Sequence, residues 1–422
     1  MNDATTTAAK AKAGAGIGLL ALLGILTAFD SMSIDMYLPA FTAIQNDLHF
    51  DSGTMQMSLS VFLLGLAVGQ AVSGPVADAF GRKTPLLAGI AVFGLASALA
   101  AWAVNVEMFM AGRFLQGLGG AAGLVISRTI ASDLYDAENA TRIFTLLIQI
   151  QSISPILAPP LGGLLLGAWG WKSIFLVLVV FAAATYVATV VRIPETQPRE
   201  NRTPFTMKAV AASYWSLLRT KRYLGMTVCM GFVMATLFGY ISGSSYVFMP
   251  HFGLSPTAYS LIFAANSVGM ILVGQLNFVL CKIMSLNKVL AIGFVAHLVP
   301  TLLFVAAVLA GADNVEVVIG LLFLSMSSLG LLFGGLTSES MFSADPKILG
   351  SASALLGVVQ YAFGGAAGVA LGLLHNNTLV PYALILGACS VCAAACWILA
   401  ARTRNEYAGA AIPAEALVGV GH

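Results

Sequence analysis

The chain has 422 residues, of which 59% are hydrophobic and only 9% are charged, and its formal net charge is +2. Soluble domains carry roughly 25% charged residues, so this composition excludes an ordinary soluble protein and predicts an integral membrane protein. The small net charge gives no support to nucleic-acid binding. The five cysteines lie within or at the end of apolar segments, which argues against a disulfide framework.

Twelve apolar segments of about 20 residues or more follow one another along the chain. Each is long enough to cross the roughly 30 Å hydrocarbon core of a bilayer as a helix. The first is preceded by Lys10 and Lys12, but it is too long for a cleaved signal peptide, and we predict that it is retained. The segments lie near 17–39, 54–74, 84–104, 107–128, 142–166, 171–192, 222–246, 257–280, 287–310, 315–338, 348–374 and 378–401.

The longest polar stretch separates the segments into two sets of six. We therefore predict an all-α integral membrane fold of twelve transmembrane helices, and six plus six segments indicate an internal repeat. The predicted parts are an N-terminal tail 1–16, an N-terminal bundle 17–192, a central loop 193–221, a C-terminal bundle 222–401 and a C-terminal tail 402–422.

The distribution of Lys and Arg predicts the orientation of the segments. Eighteen of the 20 residues fall in the two tails or in the loops that follow even-numbered segments. Cytoplasmic loops carry an excess of these residues, so both termini and the central loop are predicted to be cytoplasmic. The two exceptions are Lys172, in an outer loop, and Arg113, inside the fourth segment.

Three charged residues lie inside predicted spans. Placing a charge in the hydrocarbon core of a bilayer costs free energy, so a charged residue there indicates a function. The three residues are Asp30 and Asp35 in the first segment and Arg113 in the fourth. Asp35 and Arg113 are predicted at similar depth, so we expect the cation to keep Asp35 ionised, either for proton coupling or as a permanent bridge. An unpaired Asp30 would carry a proton near neutral pH; otherwise it bonds a hydroxyl or packs between helices.

A short polar stretch, Gly74–Lys83, separates the second and third segments. Its glycines permit a tight reversal, and its acid can pair with a cation or cap a helix. The spacing resembles the signature loop between helices 2 and 3 of major facilitator superfamily transporters. The residues that carry the pattern are Gly74, Asp78, Gly81, Arg82 and Lys83.

Two further stretches resemble motifs of the same superfamily. Arg113–Gly117 in the fourth segment reads RFLQG and is similar to the motif linked to proton coupling. The fifth segment resembles the motif that marks exporters and antiporters, although a plain kinked helix is the alternative interpretation. The residues concerned are Pro159, Pro160, Gly162 and Gly163, with Pro159 where the family has a glycine.

Residues 35–40 and 350–357 are similar to one exporter branch, the twelve-span bicyclomycin and chloramphenicol resistance (Bcr/CflA) type. The resemblance implies two six-helix bundles around a central cavity, in a bacterial inner membrane. It also implies proton-coupled export of antibiotics or small metabolites, with Asp35 and Arg113 on the coupling positions. Asp30 is less typical of the branch.

Polar and aromatic residues inside the spans are candidates for contact with a substrate. Amides and phenols in membranes also bond neighbouring helices, so each candidate has helix packing as its alternative role. The predicted substrate-binding residues are Tyr37, Gln56, Gln116, Gln149, Tyr240, Asn266, Gln360 and Phe363.

These features predict a proton-coupled exporter (antiporter) of small amphipathic drugs or metabolites that works by alternating access. A proton symporter or facilitator for a nucleoside or sugar would share the fold, and only the fifth-segment motif disfavours it. An integral-membrane enzyme is disfavoured because the five histidines are scattered and no His/Glu cluster occurs. We predict no cofactor, no metal and no nucleic-acid partner, and we expect a monomer to suffice.

Overall fold

Helices are the only regular secondary structure in the described part of the chain. The computed structural model describes residues 17–134, 137–197, 202, 207–312, 314–345 and 348–403, without the side chains of residues 17, 132, 137–152, 207–210 and 278. The helices of the first half are α1 (Ile17–Thr27), α2 (Phe29–Asp35), α3 (Phe41–Asp47), α4 (Ser52–Phe80), α5 (Lys83–Ala101), α6 (Val106–Leu134), α7 (Ala137–Trp169) and α8 (Lys172–Arg192). Those that follow are α9 (Met207–Arg219), α10 (Lys221–Tyr246), α11 (Pro256–Ile283), α12 (Leu286–Leu309), α13 (Val315–Ser328), α14 (Gly330–Phe342), α15 (Leu349–Leu373) and α16 (Val380–Ala401).

The multi-span membrane fold predicted from hydropathy is confirmed. Among the described residues, 10 helices are long and apolar enough to cross a membrane, or 11 if the bent pair Gly18–Thr27 and Phe29–Asp47 counts as one span. The predicted fifth segment lies within the continuous helix α7, of which only the apolar part Ile153–Trp169 has described side chains. The twelfth crossing therefore stays a prediction.

The first predicted segment is a broken helix rather than one straight span. Its axis bends by 46° after Thr27, where the N–H of Ala28 bonds the carbonyl of Ile25 at 3.1 Å in a tight turn. A 3₁₀ turn, Leu38–Ala40, follows α2, and Pro39 within it has no N–H with which to continue an α-helix. Both aspartates therefore lie on α2, a separate helix of 7 residues.

Helix α9 lies inside the stretch that was predicted as a polar central loop. Leu217 is buried and Tyr214 is half-buried, and both pack against Tyr223, Met341 and Leu349 at the neighbouring ends of α10, α14 and α15. The stretch is too polar on average to predict a span, but its apolar side chains have a surface of the C-terminal half to pack on. The central segment is thus partly a docked helix.

The two halves meet along two pairs of helices, α4 with α15 and α7 with α11. We call the end that carries residues 40–52 and 374–380 the outer end, following the Lys and Arg distribution. Near it, the Ser242 hydroxyl donates to the carbonyl of Gln56 at 3.0 Å, and the Ser260 hydroxyl donates to the carbonyl of Pro159 at 3.2 Å. These bonds hold the halves together at the outer end.

Candidate functional site

Asp30 links the two halves of the molecule. Its carboxylate is buried, with the whole residue 4% exposed, and one oxygen accepts the backbone N–H of Ser31 at 2.8 Å. The other oxygen accepts the hydroxyl of Tyr361, on α15 in the opposite half, at 3.0 Å. Arg128, an exposed residue near the inner end of α6, lies close enough to act on Asp30 electrostatically. A buried acid and its hydroxyl donor therefore span the interface between the halves.

Asp35 is the last residue of α2 and is also buried, at 3% exposure. It lies within electrostatic reach of Asp30 on its own helix. Tyr240 of α10 and Tyr259 of α11, both in the opposite half, also lie within its electrostatic reach. The structure thus brings Asp35 within electrostatic reach of Asp30 and of two tyrosines of the C-terminal half.

Arg113 is completely buried, but no ion pair joins it to Asp35 among the described residues. Its guanidinium donates to the Gln116 side-chain oxygen and, at 3.2 Å, to the carbonyl of Ser33. The rings of Tyr37 and Phe62 lie 4.1 and 4.4 Å from its central carbon. Aromatic faces and neutral dipoles therefore stabilise this cation in place of the predicted carboxylate.

Two predicted substrate-binding residues are held by neighbours within the N-terminal half. The Gln116 amide nitrogen donates to the Ser97 hydroxyl at 2.8 Å, and its oxygen accepts from Arg113. The hydroxyl of Tyr37 lies 3.2 Å from that of Ser58, and the Tyr37 ring faces the guanidinium. In this conformation both residues make the helix-to-helix bonds that were the alternative interpretation.

The C-terminal half contributes a group of aromatic and amide residues that includes the two tyrosines within electrostatic reach of Asp35. Asn266 donates from its amide nitrogen to the hydroxyl of Tyr240 at 2.5 Å, and the Tyr240 ring stacks on Phe263 with centroids 5.9 Å apart. The Tyr259 hydroxyl lies 3.1 Å from that of Ser244. Within the described part of the chain the Asn266 side-chain oxygen is buried and has no hydrogen-bond partner.

The remaining candidates lie apart from this group. Gln56 is near the outer end, with its amide nitrogen 3.5 Å from Nδ1 of His375. Phe363 packs edge-on against Phe232 with ring centroids 5.0 Å apart, and Gln360 is half-buried next to Tyr361 on α15. Gln149 lies on the part of α7 whose side chains are outside the described residues. Asp30 makes the bond to a hydroxyl that was one of its predicted alternatives, and only the identity of the donor, Tyr361, had no sequence signal beyond a tyrosine inside an apolar span.

The stretch Gly74–Lys83 is mostly helix rather than a loop, which corrects the prediction. Helix α4 continues through Pro75 to Phe80, and Gly81 ends it with a φ of 90°, a conformation that favours glycine. Only Gly81 and Arg82 form the turn to α5. Helix α4 can continue to Phe80 because the polar motif residues have partners in the same half: Asp78, in its last turn, pairs with Arg82, which also bonds Asp133.

Arg82 is the centre of an ion-pair group at the inner end of the N-terminal half. Its guanidinium donates to Asp78 at 2.5 Å and to Asp133 of α6 at 3.1 Å. Its backbone N–H donates to Glu195, after α8, at 2.8 Å, and the Lys83 ammonium donates to a carbonyl of α8 at 2.8 Å. The motif thus joins α4, α6 and the end of α8; Asp133 and Glu195 were not singled out in the sequence.

The proline and glycine motif of α7 lies at two contacts with other elements. The Pro159 carbonyl accepts from Ser260 across the interface between the halves, and Pro160 follows it inside the same unbroken helix. Gly162 lies directly against the backbone carbonyl of Met36, where no Cβ would fit, and a Cβ on Gly163 would lie 3.2 Å from the Ser260 hydroxyl. The motif therefore positions α7 against both the acid-bearing segment and the opposite half.

Residues 23–369 match the Major Facilitator Superfamily. The chain belongs to this family. It is therefore a multi-pass membrane transporter of small molecules rather than an enzyme, as predicted from its motifs.

Curated relatives of this superfamily transporter include drug-resistance proteins. YdgK of Bacillus subtilis (strain 168), an uncharacterised MFS-type transporter, is 32% identical over 376 residues, 88% of this chain and 92% of that protein. A bicyclomycin resistance protein homolog of Haemophilus influenzae is 28% identical over 376 residues, 87% and 92% of the two chains. Multidrug resistance protein D of Escherichia coli (strain K12) is 33% identical over 182 residues, 43% and 46% of the two chains. The predicted resemblance to the bicyclomycin-resistance branch is confirmed.

Solved structures of other superfamily transporters have the same fold. A nucleoside transporter gives a TM-score of 0.71 at 15% identity, covering 91% of this chain and 99% of that one. A D-xylose-proton symporter gives 0.67 at 17% identity, covering 90% and 96%. At these identities the likeness shows the fold alone.

For this superfamily member we predict that Arg82→Lys weakens the inner-end ion-pair group. A lysine ammonium lacks the planar guanidinium fork, in which Nη1 bonds Asp78 while Nε bonds Asp133, so it does not reproduce both bonds in this geometry. Losing one bond to a charged group costs about 1.5 kcal/mol, so the thermal unfolding midpoint in detergent should fall. Lys83→Arg is the matched control. This change keeps the positive charge at position 83, where the wild-type side chain bonds a single carbonyl. Equal midpoints for the two variants would contradict the bridging role.

Proposed function

We propose that this transporter exports small amphipathic compounds, such as chloramphenicol- or bicyclomycin-like drugs, in exchange for protons. One observation carries the proposal: Asp30, a buried acid of the N-terminal half, accepts a hydrogen bond from Tyr361 of the C-terminal half at 3.0 Å. A titratable group that bonds across the interface changes the energy of the contact between the halves when it gains or loses a proton.

The proton acts on this contact through the strength of one hydrogen bond. Bonds to an ionised acceptor are roughly twice as strong as neutral ones, so a charged Asp30 holds Tyr361 more firmly than a protonated Asp30 does. Asp35 lies within electrostatic reach of Asp30, and two buried carboxylates repel each other when both are charged. One proton shared between the two acids relieves that repulsion. When the proton leaves or reaches Asp30, the strength of the hydrogen bond to Tyr361, and so of the contact between the halves, changes.

Arg113 acts in this mechanism through α2 rather than as the partner of an acid. It donates to the carbonyl of Ser33, between the two aspartates, and so ties α2 to α6. We infer that Arg113 keeps the acid-bearing helix in place while the proton load changes.

A substrate would bind where the acids face the C-terminal half. Tyr240 and Phe263 offer a stacked aromatic surface, and the unpaired oxygen of Asn266 offers a hydrogen-bond acceptor. A compound with an apolar ring and a polar donor suits this combination. When the substrate binds near Asp35, it competes with the proton there, which gives one-for-one exchange. Drug-resistance relatives support this class of substrate.

The remaining elements would support alternating access in a bacterial inner membrane, with both termini cytoplasmic and a single chain sufficient. The two bundles, 17–192 and 222–401, would rock about the seam formed by α4 with α15 and α7 with α11. The Arg82 group would keep the inner end of the first bundle rigid during this motion. Gln56, Gln149, Gln360 and Phe363 are the further residues that we propose to meet substrate in other conformations.

The test is drug-dependent proton movement in vesicles that contain the purified protein. Vesicles with an acidic interior and a trapped pH dye receive chloramphenicol or bicyclomycin outside, after binding of each drug has been measured. An antiporter moves protons out as the drug enters, so the interior becomes alkaline faster with drug than without. Asp35→Asn should abolish the drug-dependent part, whereas Glu107→Gln, at an exposed acid on α6, should retain it.

Other outcomes of the same assay count against the proposal. Drug entry that acidifies the interior would indicate symport. Drug entry without any pH change would indicate a facilitator, and either result would move the nucleoside or sugar alternative ahead. An unchanged proton signal in Asp35→Asn would remove Asp35 from the coupling mechanism.

A further inference from the structure

Helix α9 presents an exposed apolar strip beside the strip that packs on the protein. Ala211, Trp215 and Leu218 are spaced by four and three residues, which places them on one face of the helix. Trp215 is 59% exposed and Leu218 is 39% exposed. The buried contacts of α9 are made by Leu217 and Tyr214, on the neighbouring face. A tryptophan and a leucine at the start of the second half are therefore left uncovered by the part of the chain that the structure describes.

The segment around this strip is positively charged. Residues 203–222 contain no Asp or Glu and contain Lys208, Arg219, Lys221 and Arg222. Arg219 and Lys221 are exposed, and the Arg219 guanidinium lies 4.9 Å from the centroid of the Trp215 ring. Arg222 instead turns to the protein and pairs with Glu339 at 2.7 Å. The uncovered apolar face is thus bordered by cations on one side.

The position of α9 places this face at the level of the bilayer surface. A single residue, Thr220, separates α9 from α10, which is long and apolar enough to span the membrane. The hydroxyl of Tyr223, at the start of α10, donates to the carbonyl of Ala352 on α15 at 2.7 Å, so the junction is fixed to the bundle. Tryptophan and basic residues on an amphipathic helix favour the headgroup region of a bilayer over water.

We propose that α9 binds the anionic phospholipid surface at the inner end of the protein. Trp215 and Leu218 enter the boundary between headgroups and acyl chains, and Arg219 and Lys221 contact lipid phosphates. The occupant is a lipid surface because the strip lies directly before a membrane span and the exposed charged residues beside it on this segment, Arg219 and Lys221, are positive. Since α9 packs on α10, α14 and α15, bound lipid also holds the inner ends of these helices together.

The experiment measures quenching of Trp215 fluorescence by brominated lipids in nanodiscs that contain the full-length protein. The Trp215 signal is the difference between the wild type and Trp215→Phe. At equal mole fraction, brominated phosphatidylglycerol should quench this signal more than brominated phosphatidylcholine does. Each cation near a membrane surface contributes roughly fivefold to the preference for anionic lipid, so the Arg219→Gln/Lys221→Gln variant should lose roughly 25-fold of it.

Lys288→Gln is the matched control, because Lys288 is another exposed lysine at the same end of the protein, on α12. This variant should keep the lipid preference of Trp215. Three results would overturn the proposal: no quenching by either lipid, equal quenching by both, or loss of the preference when millimolar inorganic phosphate is added. The readout requires no transport, so it is independent of the proposed direction and coupling of export.

Discussion

Replacing Asp30 by Asn is expected to uncouple drug export from the proton gradient while leaving the protein folded. Asparagine has nearly the same volume and still offers an oxygen to the Tyr361 hydroxyl, but it cannot gain or lose a proton at neutral pH. A gradient of one pH unit supplies about 1.4 kcal/mol per proton, which sustains roughly a tenfold accumulation of substrate. In Asp30→Asn vesicles this accumulation should fall to a ratio of about one, whereas exchange of labelled for unlabelled drug should continue.

Tyr361→Phe is the companion variant for this prediction. It removes the hydroxyl that bonds Asp30 and keeps the acid, so accumulation should persist with an altered dependence on pH. The comparison separates proton carriage from the contact between the halves. Full accumulation by Asp30→Asn would show that Asp30 is a packing contact and would leave Asp35 as the only coupling acid. Loss of exchange as well would point to a failure to fold rather than to uncoupling.

Gly162→Ala is expected to damage both stability and transport. A Cβ at this position of α7 would overlap the backbone carbonyl of Met36, which follows α2 and Asp35 in the chain. A backbone carbonyl cannot rotate away as a side chain can, so α7 and the acid-bearing segment must move apart. Overpacking of this kind costs about 1–3 kcal/mol. The thermal unfolding midpoint in detergent and the initial rate of drug-driven proton release should both fall.

Gly167→Ala is the matched control on the same helix. A Cβ there would meet no atom within 4 Å, so the substitution adds only the helix preference of alanine. This preference is about 1 kcal/mol over glycine, so Gly167→Ala should be neutral or slightly stabilising. If the two variants had the same midpoint and the same rate, close packing of Gly162 on Met36 would not be what the motif provides.

Much of the helix order was predictable because hydropathy is a local property. The segments predicted at 84–104 and 222–246 correspond to Lys83–Ala101 and Lys221–Tyr246. A span must satisfy its backbone hydrogen bonds internally and present apolar side chains whatever its neighbours are. Where neighbours decide, local patterns were not enough: the segment predicted at 54–74 continues as α4 to Phe80, and the predicted central loop contains the helix Met207–Arg219, which has a surface to pack on.

The sequence by itself determined that this is a transporter of many spans and that Asp30, Asp35 and Arg113 are its costly buried charges. Only the tertiary structure decided their partners. The Tyr361 hydroxyl that bonds Asp30 is 331 residues away along the chain, and Arg113 is stabilised by aromatic rings rather than by Asp35. The physical reason is that a buried charge is stabilised by the dipoles and aromatic rings within a few ångströms of it. Helix packing decides which groups come that close, and it depends on long-range contacts that a local sequence pattern does not encode.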